Sequence, residues 1–560
     1  MADWSTIWRS AYLHPSPWDV AYEPMSIPAM FDASVAHHPD APLIDFFGRK
    51  FSYSEVAAGA DRVAHGLQQL GVREGDRVGL FLPNVPHYVA AYYGAMKIGA
   101  SVVNFSPLYT VDELAHQVED SGTRLLFTLT AKALLPTALA VMERTGLERL
   151  IVGSVEGALS RGKSLYHHWF QSSQNVPRPN DPRVTAFSAL IDNDGRHDPA
   201  AIDPLTAVAM IQYTGGTTGT PKGAMLTHNN ITVNARQILG IDPWLDQDDR
   251  ILGVIPFFHI FANMTVLHRT VLRGGEIIML PRFDADQVLH AINRTRPTSL
   301  PGVPTMFRAM LEHPDFAKAD MASLRVCASG GAALPAELKA AFEEASGAIL
   351  AEGYGLTECC ITSSNPYAKP RKLGTIGQPL PGTVFKLVDR EDPTRPPPEG
   401  EPGEIVISGP QVMKGYWKHP EDAETSFIDG GFRTGDIGAI DEDGFIRIVD
   451  RLKDMITVGG FKVYPSQVEM ILYRHPAVRE AIVIGVPDPY RGEMPKAFVS
   501  LHPDAEIDGE ALKDWVNPQL GKHERVTVVE VRPDLPKTLV GKLSRKELVA
   551  EERAKVAPAA

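Results

Sequence analysis

The chain has 560 residues, 44% of them hydrophobic and 22% charged, with 55 basic against 68 acidic side chains and a formal net charge of −13. Such a chain exceeds one compact domain and can bury a sizeable core without staples. Its acidic balance speaks against general nucleic-acid binding and against adhesion to anionic lipid, but not against a small anionic ligand, because a nest of backbone N–H groups can hold phosphate inside an acidic protein.

The first residues, MADWSTIWRSAYLHPSPW, carry Arg9, His14 and two prolines and have no uninterrupted apolar stretch, unlike a signal peptide. No run of 18 apolar residues occurs, and the final APAA is not a peroxisomal address, so a cytoplasmic location is expected. Ser52-x-x-Glu55 is a capping box; Val56, Ala60, Val63, Leu67 and Leu70 then recur at helical spacing until Gly71. Strand-like runs at 77–82, 102–105, 125–129 and 149–152 alternate with helical patterns at 86–98 and 111–119. This alternation predicts a layered α/β body with a largely parallel sheet. Residues 154–200, rich in Ser, Asn, Asp and Pro, read as irregular connection, and 207–213 as a buried strand. DPTRPPPEGEPG at 392–403 is a loop, followed by strand-like 404–408 and 445–449. After the charged DRLKD at 450–454, helix 465–474 and strands 479–485 and 496–501 form a compact βα-type unit, so a boundary is placed near residue 450. The cysteines Cys327, Cys359 and Cys360 show no C-x-x-C spacing and read as packing residues rather than as a metal site or disulfide framework.

The strongest chemical signal is YTGGTTGTPKG, from Tyr213 to Gly223, directly after the apolar strand. Glycines let backbone N–H groups turn inward, the hydroxyls of Thr214, Thr217 and Thr218 add donors, and Lys222 adds a positive charge. These features suit a polyphosphate. The order is not that of a Walker A loop, since Pro221 precedes the lysine and Gly223 follows it.

This string resembles the signature loop of the adenylate-forming superfamily of acyl-CoA synthetases, luciferase-like enzymes and peptide-synthetase adenylation domains. Four further segments resemble that family in order: SGGAALP (329–335), EGYGLTEC (352–359), FRTGD (432–436) and RIVDRLKDMITVGGFKVYP (447–465), with PKTLVGKLSR (536–545) after them. The likeness spans roughly residues 26–550. It implies a large multi-layered N-terminal body with mixed and parallel sheets over 1–449, a hinge at 450–455 with Lys453 as its pivot, and a small mobile C-terminal α+β domain over 456–560. It also implies an ATP/AMP site made by Thr214, Gly215, Gly216, Thr217, Thr218, Gly219, Lys222, Gly330, Gly331, Ala332, Glu352, Gly353, Tyr354, Gly355, Thr357, Asp436, Ile448, Arg451 and Lys542. Within it Tyr354 would stack on adenine, Thr357 would bond the α-phosphate, Glu358 would hold Mg²⁺, and Asp436 would accept from both ribose hydroxyls. Lys542 would contact the carboxylate and the α-phosphate, so that Lys542, Thr357 and Glu358 form the catalytic set. His259, in PFFHIFA (256–262), is expected to gate or line the acyl pocket or else to pack; Gly459 and Gly460 are expected along the path of CoA.

Gly215 stands where the commoner loop has serine. That double-glycine form, with GPQVMKGYW (409–417) and RIVDRLKDMI (447–456), looks like the bacterial long-chain fatty-acid–CoA ligases. The implied activity is ATP-dependent fatty acid–CoA ligation, with Mg²⁺ as cofactor and ATP and CoA as co-substrates. Medium-chain, dicarboxylic or aryl acids, a carrier protein as thiol acceptor, and a non-catalytic nucleotide-binding relative stay open as alternatives. So do a peripheral membrane contact, compatible with fatty substrates, and a homodimer.

Overall fold

The computed structural model describes residues 4–159, 175–214, 221–368, 370–538 and 541–556. Two large sheets and their helices form the body. The first sheet has eight strands; its parallel part runs from Val208–Tyr213 through Ser101–Asn104, Arg77–Leu80, Leu125–Leu129 and Arg149–Gly153 to Val184–Ala186. The second has nine strands, parallel from Ile349–Leu356 through Val326–Ser329, Ser299–Gly302, Arg250–Gly253 and Glu276–Met279 to Pro42–Phe46. All five residues of Leu125–Leu129 are buried, the mark of a parallel strand covered by helices on both faces.

The helices begin where the sequence signals. The Ser52 hydroxyl accepts from the Glu55 N–H, and the Glu55 carboxylate accepts from the Ser52 N–H at 2.8 Å. Thr110 and Glu113 repeat the arrangement at the helix Val111–Ser121, which Gly122 closes in the left-handed region. Helices Tyr53–Gln69 and Pro86–Lys97 pack closely because Gly94 has no side chain; a Cβ there would fall 2.7 Å from the Ala60 carbonyl oxygen. Deep in the body, Arg269 pairs with both Asp242 and Asp249. Removing one partner of such a buried set costs roughly 3–5 kcal/mol.

A third, antiparallel sheet joins Val384–Val388, Gly403–Ser408, Gly431–Ile440, Phe427–Ile428 and Ile446–Arg451. The N-terminal segment straps it to the body. Trp8 is fully buried and its indole donates to the Gly444 carbonyl at 2.9 Å, while the Trp18 indole donates to Thr383 O at 2.8 Å.

Beyond Arg451 the chain turns, and a separate sheet begins at Ile456–Val458. Alternation decides its faces: Ala481, Val483, Ala497 and Val499 enter one buried cluster, and Ile482, Ile484 and Phe498 another, against Leu535 and Leu548. The βα-type unit read from the pattern is corrected here. Val478–Asp488 and Gly492–Leu501 are the two arms of one antiparallel hairpin. Asp488 makes the turn, accepting from the N–H groups of Tyr490 and Arg491. Within the described part of 154–200, Val184–Ala186 forms a strand rather than irregular connection and adds the edge of the first sheet. Among the described residues no helix is long and apolar enough to cross a membrane.

Four histidines, His14, His87, His228 and His268, are buried, and burial pushes His14, His87 and His228 down to about 4 and His268 to about 3. Unfolded, each takes a proton near pH 6.5; folded, each refuses it until pH 4 or below. Stability is therefore lost as pH falls from 6.5 to 4, by up to roughly 1.4 kcal/mol per pH unit for each histidine. Thermal unfolding followed by circular dichroism is expected to show a melting temperature that falls steeply across that window; a flat profile would contradict the buried neutral imidazoles.

Candidate active site

The site lies where the second sheet, the third sheet and the C-terminal unit meet. Tyr354 sits near the end of Ile349–Leu356, which turns through Thr357, Glu358 and Cys359 into Cys360–Ser364. The strands entering the turn pair so closely that a Cβ on Gly355 would lie 2.2 Å from the Cys360 carbonyl oxygen, which excludes a side chain there, while one on Gly353 would lie a tight 3.1 Å from that of Ser363. Thr357 and Glu358 are thus presented by a hairpin turn. Cys327, Cys359 and Cys360 are free and buried, with burial pushing each thiol up.

Asp436 and Arg451 face each other across adjacent strands of the third sheet. Arg451 Nε lies 3.1 Å from Asp436 Oδ1, and the Tyr354 hydroxyl donates to Asp436 Oδ2 at 2.5 Å. The ladder slips by one residue here: Ile437 is opposite Asp450 but Gly438 is opposite Ile448, leaving Val449 as a bulge. Simple alternation would put Ile448 and Arg451 on opposite faces. The bulge returns Ile448 to the face of Asp436 and Arg451.

Glu358 is held by two contacts from the 413–416 segment. Its carbonyl accepts from the Met413 N–H at 2.7 Å, and its carboxylate from the Tyr416 hydroxyl at 2.9 Å. Burial raises its pKa, which makes a nearby cation favourable. Tyr416 lies in the family-like string GPQVMKGYW, but nothing local to it signals that it partners Glu358, 58 positions away. The ammonium of Lys222 lies 5.4 Å from the Tyr416 ring centre and 2.7 Å from Asp422. Thr214 N–H donates to the Lys222 carbonyl at 2.9 Å, so the two feet of the intervening loop are joined. Gly215, Gly216, Thr217, Thr218 and Gly219 lie outside the described residues.

On the other side, the Gly330 N–H donates to the Gly302 carbonyl at 3.1 Å, and a Cβ on Gly330 would fall 3.0 Å from the Phe261 ring. Glu352 accepts from the Leu334 N–H at 3.0 Å, which anchors the 330–334 turn carrying Gly331 and Ala332; burial pushes its carboxyl up to about 7. Lys542 comes from the C-terminal unit, in a turn where its N–H donates to the Thr538 hydroxyl. Its side chain lies against Gly331 so closely that a Cβ there would fall 2.4 Å from Cε and 2.7 Å from Nζ. Burial, and then the charge of Arg451, push the Lys542 amine down to about 8. His259 caps Ile260–Ala262, its Nδ1 accepting from the Phe261 N–H, and burial together with the nearby Lys542 charge pushes it down to about 3. Lys453 is lowered by burial and by Arg451, against the opposing pull of Asp454, Asp436 and Glu358.

Of the anticipated residues, then, Tyr354, Asp436, Ile448, Arg451, Glu358, Lys453, Gly331, His259 and Lys542 converge. Gly459 and Gly460 stand apart, in an exposed turn with φ of 56° and 90° that joins Ile456–Val458 to Phe461–Val463. Lys542 is expected to react with a neutral-amine reagent in trace-labelling experiments along a pH curve centred near 8. In Gly331→Ala the midpoint should return toward the ordinary lysine value, because the methyl group displaces the side chain; an unchanged midpoint would refute the packing.

Comparison with known proteins identifies the family to which the chain belongs. The AMP-binding enzyme family matches residues 31–417, and the AMP-binding enzyme C-terminal domain matches residues 467–542. The chain is 37% identical to a long-chain-fatty-acid–CoA ligase of Bacillus subtilis over 97% of this chain and 98% of that one. It is 36% identical to a feruloyl-CoA synthase of an Amycolatopsis species, covering 91% and 96%. The ATP-bound structure of MatB from Rhodopseudomonas palustris superposes with a TM-score of 0.83 at 29% identity, over 95% of this chain and all of that one. The apo structure of the same protein gives 0.73. The chain belongs to the AMP-binding enzyme family.

Proposed function

We propose that this chain is an ATP-dependent carboxylic acid–CoA ligase acting on long-chain fatty acids. The observation that carries this reading is Lys542, a half-buried cation delivered across Gly331 into a cluster that already holds Tyr354, Asp436 and Arg451. A carboxylate is a poor electrophile; joining it to AMP supplies a leaving group. In the first half-reaction a carboxylate oxygen attacks the α-phosphorus of ATP in line, the bond to the bridging oxygen breaks, and pyrophosphate leaves. In the second, the CoA thiol attacks the acyl carbonyl, the thiol proton passes to solvent, and AMP leaves.

Residues are assigned by chemistry. The Tyr354 ring offers a face for adenine, and Asp436, now accepting from a phenol and a guanidinium, can accept from two ribose hydroxyls instead. Thr357 and Thr214 offer hydroxyls to phosphate oxygens. Lys542 and Arg451 neutralise charge at the α-phosphate, an effect of positioning and electrostatics rather than covalent chemistry. Glu358, a carboxylate whose burial favours a cation, fits as the protein ligand of Mg²⁺, which when bound would screen phosphate charge. His259, neutral at pH 7 and beside Lys542, suits the entrance of the acyl group. We assign the large domain to 1–449, the hinge to 450–455 around Lys453 and the small domain to 456–560; its rotation removes Lys542 and brings Gly459 and Gly460 to the CoA path. The long-chain acid rests on likeness to the Bacillus ligase. An aryl acid is the second reading, favoured by the feruloyl-CoA synthase match.

A panel of carboxylic acids assayed for CoA-dependent AMP release decides between them: long-chain acids should give the highest kcat/KM, and a maximum on aryl acids would replace the first reading by the second. Lys542→Ala should lower acid-dependent pyrophosphate exchange into ATP by roughly a hundredfold or more, as loss of a charge-stabilising donor does. It should spare thioester formation from supplied acyl-adenylate; equal loss of both would sink the role of Lys542. Lys453→Pro should leave pyrophosphate exchange nearly intact and slow overall turnover, whereas normal turnover would rule out a pivot there.

A further inference from the structure

One short helix of the large body touches the C-terminal unit at both of its ends. Helix Pro304–Leu311 buries Pro304, Met306, Phe307 and Met310 in the core. Thr305, Arg308 and Glu312 follow at spacings of three and four residues, so they form one stripe on the side away from that core. Thr305 and Glu312 each meet a different segment of the C-terminal unit, and Arg308 lies between them. The Thr305 hydroxyl donates to the carbonyl of Gly541, next to Lys542, at 2.9 Å. The Arg308 charge acts on the Tyr473 hydroxyl. Glu312 pairs with Arg479 at 3.1 Å, and His502 Nδ1 lies 3.9 Å from its other oxygen. Among the described residues, the other side-chain polar contacts between the two units lie beside the hinge, where Arg390 meets the Tyr464 hydroxyl and Asp450 accepts from the Ser466 N–H.

The stripe is coupled to Lys542 through the rigidity of the C-terminal unit. Lys537 pairs with Glu480 at 2.8 Å, and Arg545 donates to the Val483 carbonyl, so the turn that carries Lys542 is fastened at both sides to Val478–Asp488, the strand that carries Arg479. Lys542 cannot leave Gly331 by a rigid movement of that unit unless Arg479 also leaves Glu312.

We infer that the stripe Thr305–Arg308–Glu312 is a docking cradle, with Glu312 and Arg479 as positioning residues that hold the C-terminal unit where Lys542 reaches the nucleotide site. This rests on the two half-reactions proposed above. The cradle touches neither nucleotide nor acid; it acts through the population of one domain orientation. Its contacts are partly exposed, so each is weak and readily broken, which suits a unit that must undock in every cycle.

The test is charge reversal and its repair in the full-length protein. Arg479→Glu places two carboxylates together and should lower acid-dependent pyrophosphate exchange by roughly tenfold or more. Thioester formation from supplied acyl-adenylate should be unchanged or faster. The double variant Glu312→Arg, Arg479→Glu should recover exchange to within about threefold of the parent, as expected for a coupled pair. A single variant with normal exchange, equal loss of both half-reactions, or a double variant that recovers nothing would each overturn the cradle. A second readout does not depend on activity: the distance between spin labels at the exposed Glu344 and Asp504. Arg479→Glu should broaden or shift that distance with ATP present, and the double variant should restore it; an unmoved distribution would also overturn the cradle. If the unmodified protein exchanges no pyrophosphate with any acid, the enzymatic reading fails while the distance measurement still decides the cradle.

Discussion

The contact between Lys542 and Gly331 is the constraint around which the rest is arranged. At 331 the backbone has φ of 81°, and the space a side chain would fill is taken by the lysine stem. Only glycine meets both demands, a left-handed backbone and the absence of a Cβ. Because the lysine belongs to a different unit from the glycine, the contact defines a relation between two bodies and not only a local turn. The third sheet, the 450–455 segment that leads out of it and helix Pro304–Leu311 can all be understood as means of bringing that lysine to that glycine.

The electrostatics of the cleft follow from the same meeting. A protein with a formal charge of −13 gathers Arg451, Lys453 and Lys542 around one place. The two lysines are pushed down and Glu358 is pushed up, all chiefly by burial. Both directions follow from one cause: burial disfavours the charged form of each group, the ammonium of the lysines and the carboxylate of Glu358 alike. Net charge says nothing of this, since it averages over a surface, whereas burial amplifies the few charges inside.

Much of the site was legible because its chemistry needs residues in a fixed local order. EGYGLTEC must turn sharply after a strand, and it does so just past Gly355, where the paired strand leaves no room for a side chain. FRTGD and the first two residues of DRLKD fall on adjacent strands, and Asp436 meets Arg451. Other parts carried no local signal. Ile448 shares a face with Arg451 only because Val449 bulges, and a bulge is a property of two strands together. Tyr416 reaches Glu358 across 58 residues of chain. Trp8, in a segment with no evident pattern, is buried under Gly444 at the far end of the body. The hairpin of Val478–Asp488 and Gly492–Leu501 was read as separate elements, since alternation shows that a strand exists but not which strand it pairs with.

The sequence by itself determined the α/β alternation, the capped helices, the order of the nucleotide motifs and the identity of the residues that carry charge. These depend on neighbours within a few positions, where spacing maps directly onto geometry. Only the tertiary structure decided that Lys542 stands at Gly331, that a bulge aims Ile448, and that Thr305 and Glu312 meet the C-terminal unit. Each depends on which strand or unit lies opposite, for the bulge across two paired strands and for the others across more than 150 positions of chain, and nothing in local spacing encodes that.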